Sequence, residues 1–322
     1  MNDKIYYGSE DGHYKGALHF HTTWSDGSKS PAEVVQCYQK RGYQFAAWSD
    51  HDIYVRTNEL DTPNFITIGG MERGGLNPQW EENDNIGFHF GCIEDETVEV
   101  SQRYQHLQKF PYPQKWEGDI SVSDCVQRMK DHGNLVILNH PEWHMTMFEE
   151  VLKEDYFAIE IFNYATEWST VTSYGTAYLD YALQNGKKVY LTASDDAHGF
   201  DESLGTKDFD GGWVVVNSPC LDRKNIIANF KKGNYYASSG PEIYEIRITD
   251  GILKIKCSPC RFIMFKSWPE RSEFLCDWKE NKPLTEASQE IKPHMQYIRV
   301  ECIDYEGKVA WSNPIFLDER AE

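Results

Sequence analysis

Residues 16–52 read GALHFHTTWSDGSKSPAEVVQCYQKRGYQFAAWSDHD. His19 and His21 stand one residue apart in an apolar run, and the acidic turn Ser25-Asp26-Gly27 follows. A helix-like segment leads to a second apolar run, which ends in Asp50-His51-Asp52. Side chains alternate across a strand, so residues i and i+2 share a face, roughly 6.6 Å apart along the chain. Two imidazoles at that spacing can converge on one ion while Phe20 points the other way. A single His-x-His is more often an ordinary polar strand end. The SDG turn and the SDHD ending downstream change that weighting, and the stretch reads as two strand ends and a loop delivering metal ligands to one point.

The same signature recurs outward from it. Residues 64–72 (NFITIGGME) read as a third strand ending in a carboxylate beside glycines. Residues 87–93 (GFHFGCI) read as a fourth carrying His89, with Glu94 and Asp95 as its exit. Residues 100–120, with Pro111 and Pro113, read as an irregular excursion. The run 135–138 ends in Asn139-His140-Pro141, 156–162 ends in Asn163, and 188–193 ends in Ser194-Asp195-Asp196-Ala197-His198. Residues 213–216 add one more strand. Helices are expected over 121–132, with the stripe Val122, Cys125, Val126 and Met129, over 173–184, and over 222–232 with Asp222 as cap. Glycines 133, 186 and 233 close these helices. Short apolar strands alternating with helices predict a parallel sheet covered on both faces, and in α/β barrels functional groups sit at the C-terminal strand ends.

From about residue 243 the composition changes to short alternating strands with turns at Asp250-Gly251 and Glu306-Gly307, the pattern of a small β-sandwich. The expected division is therefore 1–240 and 241–322. The formal net charge of −19 disfavours nucleic acid, whose binding is mostly phosphate neutralisation by Lys and Arg. The sequence shows neither an apolar signal core at its start nor a run long enough to span a bilayer, so a cytoplasmic location with no membrane partner is expected. Most of the eight cysteines lie in apolar runs and read as small buried hydrophobes. The pair Cys257-Ser258-Pro259-Cys260, with Cys276 and Cys302 further on, is a single Cys-x-x-Cys. Buried free thiols are the preferred reading, with a structural zinc or a disulfide as the alternative.

The strand-end donors are His19, His21, Asp26, His51, Glu72, His89, His140, Asp196 and His198. All offer N or O atoms, which suit zinc, manganese or iron. Nine donors are too many for one ion and fit two or three divalent ions, with Glu72 placed to bridge a pair. Six positive charges set against Asp26, Glu72 and Asp196 leave about +3, a site that attracts a small anionic substrate. Paired ions clamp phosphoryl oxygens and bring the pKa of a bound water to about 7.

HFHTTWSDG, WSDHD, GGMERGG, GFHFG, LNHP and SDDAHG occur in the order expected of the PHP (polymerase and histidinol phosphatase) superfamily, and the chain resembles that family over roughly residues 14–240. The resemblance implies a distorted seven-stranded (β/α) barrel. It implies that His19, His21, Glu72 and Asp196 hold one metal, that Glu72, His89 and His140 hold a second, and that Asp26, His51 and His198 hold a third. YYASSGPEI and GKVAWSNPIF look like the carbaryl-hydrolase-like branch. The function expected is hydrolysis of a small-molecule phosphate ester by metal-held hydroxide. Carboxylic-ester or carbamate hydrolysis at the same centre is the alternative, and a non-catalytic binding protein a third reading. Asp50, Asp52, Asn139 and Asp195 are expected to orient imidazoles. Arg73 could meet a substrate anion or form a structural ion pair, and His144 or Glu142 could protonate a leaving group. Trp24, Trp143 and Trp168 could wall the pocket or simply pack. His13, His106, His132 and His294 belong to no constellation.

Overall fold

The computed structural model describes residues 3–10, 12–74, 87–110, 121–201, 208–277 and 279–317. It is a mixed α/β structure rich in strands. One five-stranded sheet has the order Tyr190–Ser194, Ala158–Asn163, Asn134–Asn139, His89–Glu94, Gly70–Arg73. In a ten-stranded sheet, Gly12–Ala17 is flanked on one side by Phe45–Ala47 and Ile66–Ile68, both parallel to the growing edge. On its other side lies Trp213–Ser218, followed by Tyr235–Ser238, Val309–Ser312, Tyr297–Ile303, Phe262–Trp268 and Glu273–Leu275.

The run expected as one strand over 64–72 is split. Ile66–Ile68 pairs with Phe45–Ala47 in the larger sheet, and after Gly69 the Gly70–Arg73 strand pairs with His89–Glu94 in the smaller one. At Gly70 the backbones come so close that a Cβ would lie 2.4 Å from the carbonyl oxygens of Trp48 and Cys92. Glu72 is thereby delivered to the junction of the two sheets. At the opposite edge the sheets touch through a parallel bridge between Phe20 and Ala197, with His21 N–H donating to Ala197 O at 2.7 Å. Among the described residues the named strands form two sheets, joined at the two junctions by isolated bridges, Phe20 to Ala197 and His51 to Glu72, rather than by continuous strand pairing.

The sheet is also not all parallel. His89–Glu94 runs antiparallel to both its neighbours, Gly70–Arg73 and Asn134–Asn139. The parallel sheet expected from the apolar pattern is therefore corrected at this strand, because burial on both faces dictates an apolar composition but not a direction. The reversal has a consequence for the site: His89, first residue of its strand, reaches the same rim that its neighbours reach with their last residues.

The helices follow local rules. Pro31–Lys40 starts with proline at its first position, where no N–H is required, and Glu33 accepts from the Ser30 N–H at 2.9 Å. Val122–Asp131 is capped by Ser121, and Arg223–Lys231 by Asp222, whose carboxylate accepts from Asn225 N–H at 3.1 Å. The helix expected from 173 begins only at Thr176, and a short helix, Tyr164–Ser169, precedes it. Glu94 ends its strand, as expected of the exit, and both Glu94 and Asp95 are buried, matched by Arg56 and Lys231 respectively.

The C-terminal strands divide between sheets. Ile243–Thr249, Ile252–Cys260 and Leu284–Glu290 form a four-stranded sheet with Lys4–Tyr7, while the others extend the ten-stranded sheet. Leu284–Glu290 escaped the sequence reading because LTEASQE is polar and mostly exposed. Among the described residues no helix is long and apolar enough to cross a membrane. The part of the expected excursion at 111–120 lies outside the described residues.

Candidate metal centre

Glu72 is fully buried, and five imidazoles converge on it. Its Oε1 lies 3.2 Å from His19 Nε2, 3.2 Å from His89 Nδ1 and 3.2 Å from His140 Nε2. Its Oε2 lies 3.0 Å from His51 Nδ1 and 3.6 Å from His21 Nε2. Asp196 closes the opposite side, with Oδ1 3.0 Å from His21 Nε2 and 3.1 Å from His19 Nε2. Asp26, 56% exposed on the 22–27 turn, stands 3.6 Å from His198 Nε2, 3.8 Å from His51 Nε2 and 3.7 Å from His21 Nδ1.

The donors thus fall into overlapping sets: His19, His21, Glu72 and Asp196; His21, Asp26, His51 and His198; and His89, His140 and His144. The first has the membership implied by the resemblance. The second has His21 added, and in the third His144 stands with His89 and His140. The His144 ring centroid is 4.2 Å from that of His89 and 4.9 Å from that of His140, inside the donor cluster rather than at a substrate's edge.

One buried carboxylate was missed. Glu160 Oε1 is 3.1 Å from His19 Nδ1, and Oε2 accepts from the His140 backbone N–H at 2.9 Å. With the Nδ1 proton given to Glu160, His19 turns the lone pair of Nε2 towards Glu72 and Asp196. The sequence held a signal: Glu160 is the one charged residue in the apolar strand Ala158–Asn163, where an unmatched carboxylate would be costly. At the end of that strand, Asn163 Nδ2 donates to Asp196 Oδ2 at 3.1 Å. Counting Glu160, three divalent ions would leave the site at about +2.

The residues expected to orient imidazoles do other work. Asp50 Oδ1 accepts from Thr22 N–H at 2.9 Å and from Ser25 Oγ–H at 2.8 Å, pinning the turn that carries Asp26. Asn139 Nδ2 donates to Glu72 Oε1 at 2.8 Å. Asp52 pairs with Arg73, which takes that guanidinium into a structural ion pair. Asp195 points away from the centre: it accepts from the backbone N–H groups of Asp210 (2.9 Å), Gly211 (2.8 Å) and Gly212 (2.8 Å), and from Tyr38 Oη–H at 3.0 Å. Trp143 lies against His140 with ring centroids 5.4 Å apart, whereas Trp24 packs on Trp48. The side chain of Trp168 lies outside the described residues. His140 and Asp196 both have positive φ, 26° and 55°, a conformation that costs a non-glycine residue energy.

The electrostatics are those of a crowded, dry cluster. Burial opposes the charge on Glu72, but His19, His89 and His51 hold its carboxyl well below the usual range. Asp196 is likewise lowered against burial by His19 and His21. Burial pulls His51 down, yet the Glu72 carboxylate, its hydrogen bond and Asp26 outweigh this and raise it to about 9. Burial and the neighbouring His51 lower His21 to about 3. His19 Nε2, His21 Nδ1 and His140 Nδ1 are buried with no hydrogen-bond partner. Such groups normally cost about 1–3 kcal/mol each. A divalent cation would satisfy several of them together, and the N/O donor set suits zinc, manganese or iron. The residues present fit the group.

The ordered set of motifs that resembles the PHP superfamily thus gathers around one buried carboxylate. No family model matches the chain. Over 72 residues, 22% of its length, it is 38% identical to the DNA polymerase/3'-5' exonuclease PolX of Bacillus subtilis (strain 168), and the match spans 13% of that protein. Among solved structures it is similar to a two-domain protein of Bacteroides vulgatus ATCC 8482 containing a predicted PHP-like metal-dependent phosphoesterase. That similarity has 14% identity and a TM-score of 0.47, over 97% of this chain and 98% of the other. It is also similar to an amidohydrolase from Chromobacterium violaceum, with 14% identity and a TM-score of 0.38 over 59% of this chain and 90% of the other.

Proposed function

We propose that this chain is a metal-dependent hydrolase that cleaves a small-molecule phosphate ester. The observation that carries the reading is Glu72: a buried carboxylate within 3.6 Å of imidazole nitrogens from five separate histidines. His19, His21, Glu72 and Asp196 would hold one divalent ion; Glu72, His89 and His140 a second; Asp26, His51 and His198 a third. When bound, these ions would supply an activated water and positive charge to offset the negative charge on the phosphoryl oxygens.

The chain's own residues do the positioning. Glu160 fixes the His19 tautomer, Asn139 fixes one Glu72 oxygen, and Asn163 fixes one Asp196 oxygen. Buried walls exclude bulk water from Glu72, while the Asp26 side remains open to solvent and is the entry for substrate. The net charge of −19 favours a small anion drawn to the ions over a nucleic acid. Residues 1–240 are proposed to carry the chemistry, with the C-terminal strands as a second unit. The test is a panel of p-nitrophenyl phosphate, a phosphodiester and p-nitrophenyl acetate, run with manganese-, iron- and zinc-loaded protein. Preferential phosphate-ester turnover supports the proposal. Turnover of the carboxylic ester alone would favour the carbaryl-hydrolase-like alternative, and none at all would favour a binding protein.

A further inference from the structure

A second donor cluster lies far along the chain, and the proposed hydrolase does not use it. Cys257, Cys260 and Cys302 are all buried, with sulfurs within 4.8 Å of one another. The thiols are within hydrogen-bond reach of each other. Cys257 and Cys260 belong to Ile252–Cys260 in the four-stranded sheet, and Cys302 to Tyr297–Ile303 in the ten-stranded sheet. The three therefore meet across the gap between sheets.

Strand alternation alone would not bring them together. Leu253, Ile255 and Cys257 share the inner face, and a regular strand would turn Cys260 outward. The register with Leu284–Glu290 instead shifts between Lys256 and Cys260, Pro259 is pushed to the exposed side, and Cys260 returns to the interior. Such an irregularity re-aims a side chain at a cost in ladder pairing. Packing would be served as well by alanine or valine at these positions. Three soft donors on two sheets, one recruited by a bulge, match the preference of a thiophilic d10 ion and not that of magnesium or calcium. Ser258 and Asp304 stand near Cys260 and could offer oxygen to a fourth position.

We propose that Cys257, Cys260 and Cys302 bind one ion of the zinc class, stapling the two C-terminal sheets. Each thiol releases its proton to solvent as its sulfur–metal bond forms, with no change in oxidation state. The test uses the reduced, chelator-stripped full chain titrated with cobalt(II) without oxygen. Expected is a sulfur-to-cobalt charge-transfer absorption in the near ultraviolet that saturates at a single ion per chain and is bleached by zinc. The proposed hydrolase centre has only nitrogen and oxygen donors, so neither its success nor its failure produces this band. C302S should remove the band, and C125S, in the Val122–Asp131 helix, should keep it. Should C302S fail to fold, C260A reads the same absorption. In the unaltered chain, zinc should also slow alkylation of the three thiols relative to Cys37 and Cys125. No band with all three thiols reduced, a band that C302S retains, or a Cys257–Cys260 disulfide in the chain as purified overturns the proposal.

Discussion

At the scale of single residues, the positions that touch ligands rather than bind metal carry the clearest predictions. Glu160 holds both His19 Nδ1 and the His140 N–H. E160Q offers the ring an amide in place of a carboxylate. It should lower metal affinity or turnover by about 10–100-fold, as loss of an outer partner does, with the far-ultraviolet circular dichroism unchanged. Metal content after dialysis checks this, and content equal to wild type would argue against it. His51 predicts a pH dependence. Its pKa in the metal-free fold, about 9, is raised above the ordinary value. Its contribution to metal-free stability is therefore full below about pH 6.5 and lost as pH rises through about 9. A cation must displace that proton, so apparent metal affinity should climb across the same window, by up to about tenfold per pH unit. Isothermal titration at pH 6.5, 8 and 9 would show it, and a flat profile would count against the assignment.

At the scale of elements, two turns set the geometry. Gly27 closes the turn bearing Asp26, and a Cβ there would lie 2.2 Å from the His21 carbonyl oxygen. Backbone cannot yield as a flexible side chain can, so G27A should displace Asp26 from His51 and His198. It should reduce metal bound per chain while Glu72 and its nearest imidazoles stay intact; elemental analysis is the readout. Asp195 ties the 210–212 loop to the strand that ends at the metal centre. Burial pushes its carboxyl up to about 7 against the pull of four donors. D195N turns an amide N–H towards those donors and should cost about 1–3 kcal/mol in urea unfolding. A stability within error of wild type would mean the loop is held by other contacts.

At the scale of the whole molecule, the C-terminal strands are tied to the rest by a buried charge. Arg299, fully buried on Tyr297–Ile303, donates to Asp180 Oδ1 at 2.6 Å on the Thr176–Gln184 helix and to Glu301 Oε1 at 2.5 Å. R299A would leave Glu301 buried without its partner and should destabilise by about 3–5 kcal/mol. Equilibrium denaturation measures this. A loss below about 1 kcal/mol would show that the apolar packing between the C-terminal strands and Tyr235–Ser238 holds the halves together unaided.

Much of this protein can be read from local pattern. His19 and His21 are legible because a two-residue period puts them on one face, the start of the Arg223–Lys231 helix because Asp222 caps it, and most of the other donors because they close apolar runs. These are short-range facts, set by backbone geometry and burial. The direction of the His89–Glu94 strand, the break at Gly69, the role of Glu160 and the aim of Asp195 are not. Each depends on which distant backbone lies alongside, a choice made by the packing of whole sheets, and a residue's neighbours in sequence carry no record of it. The same holds for Cys302, which meets Cys257 and Cys260 only because two sheets stack with their inner faces together.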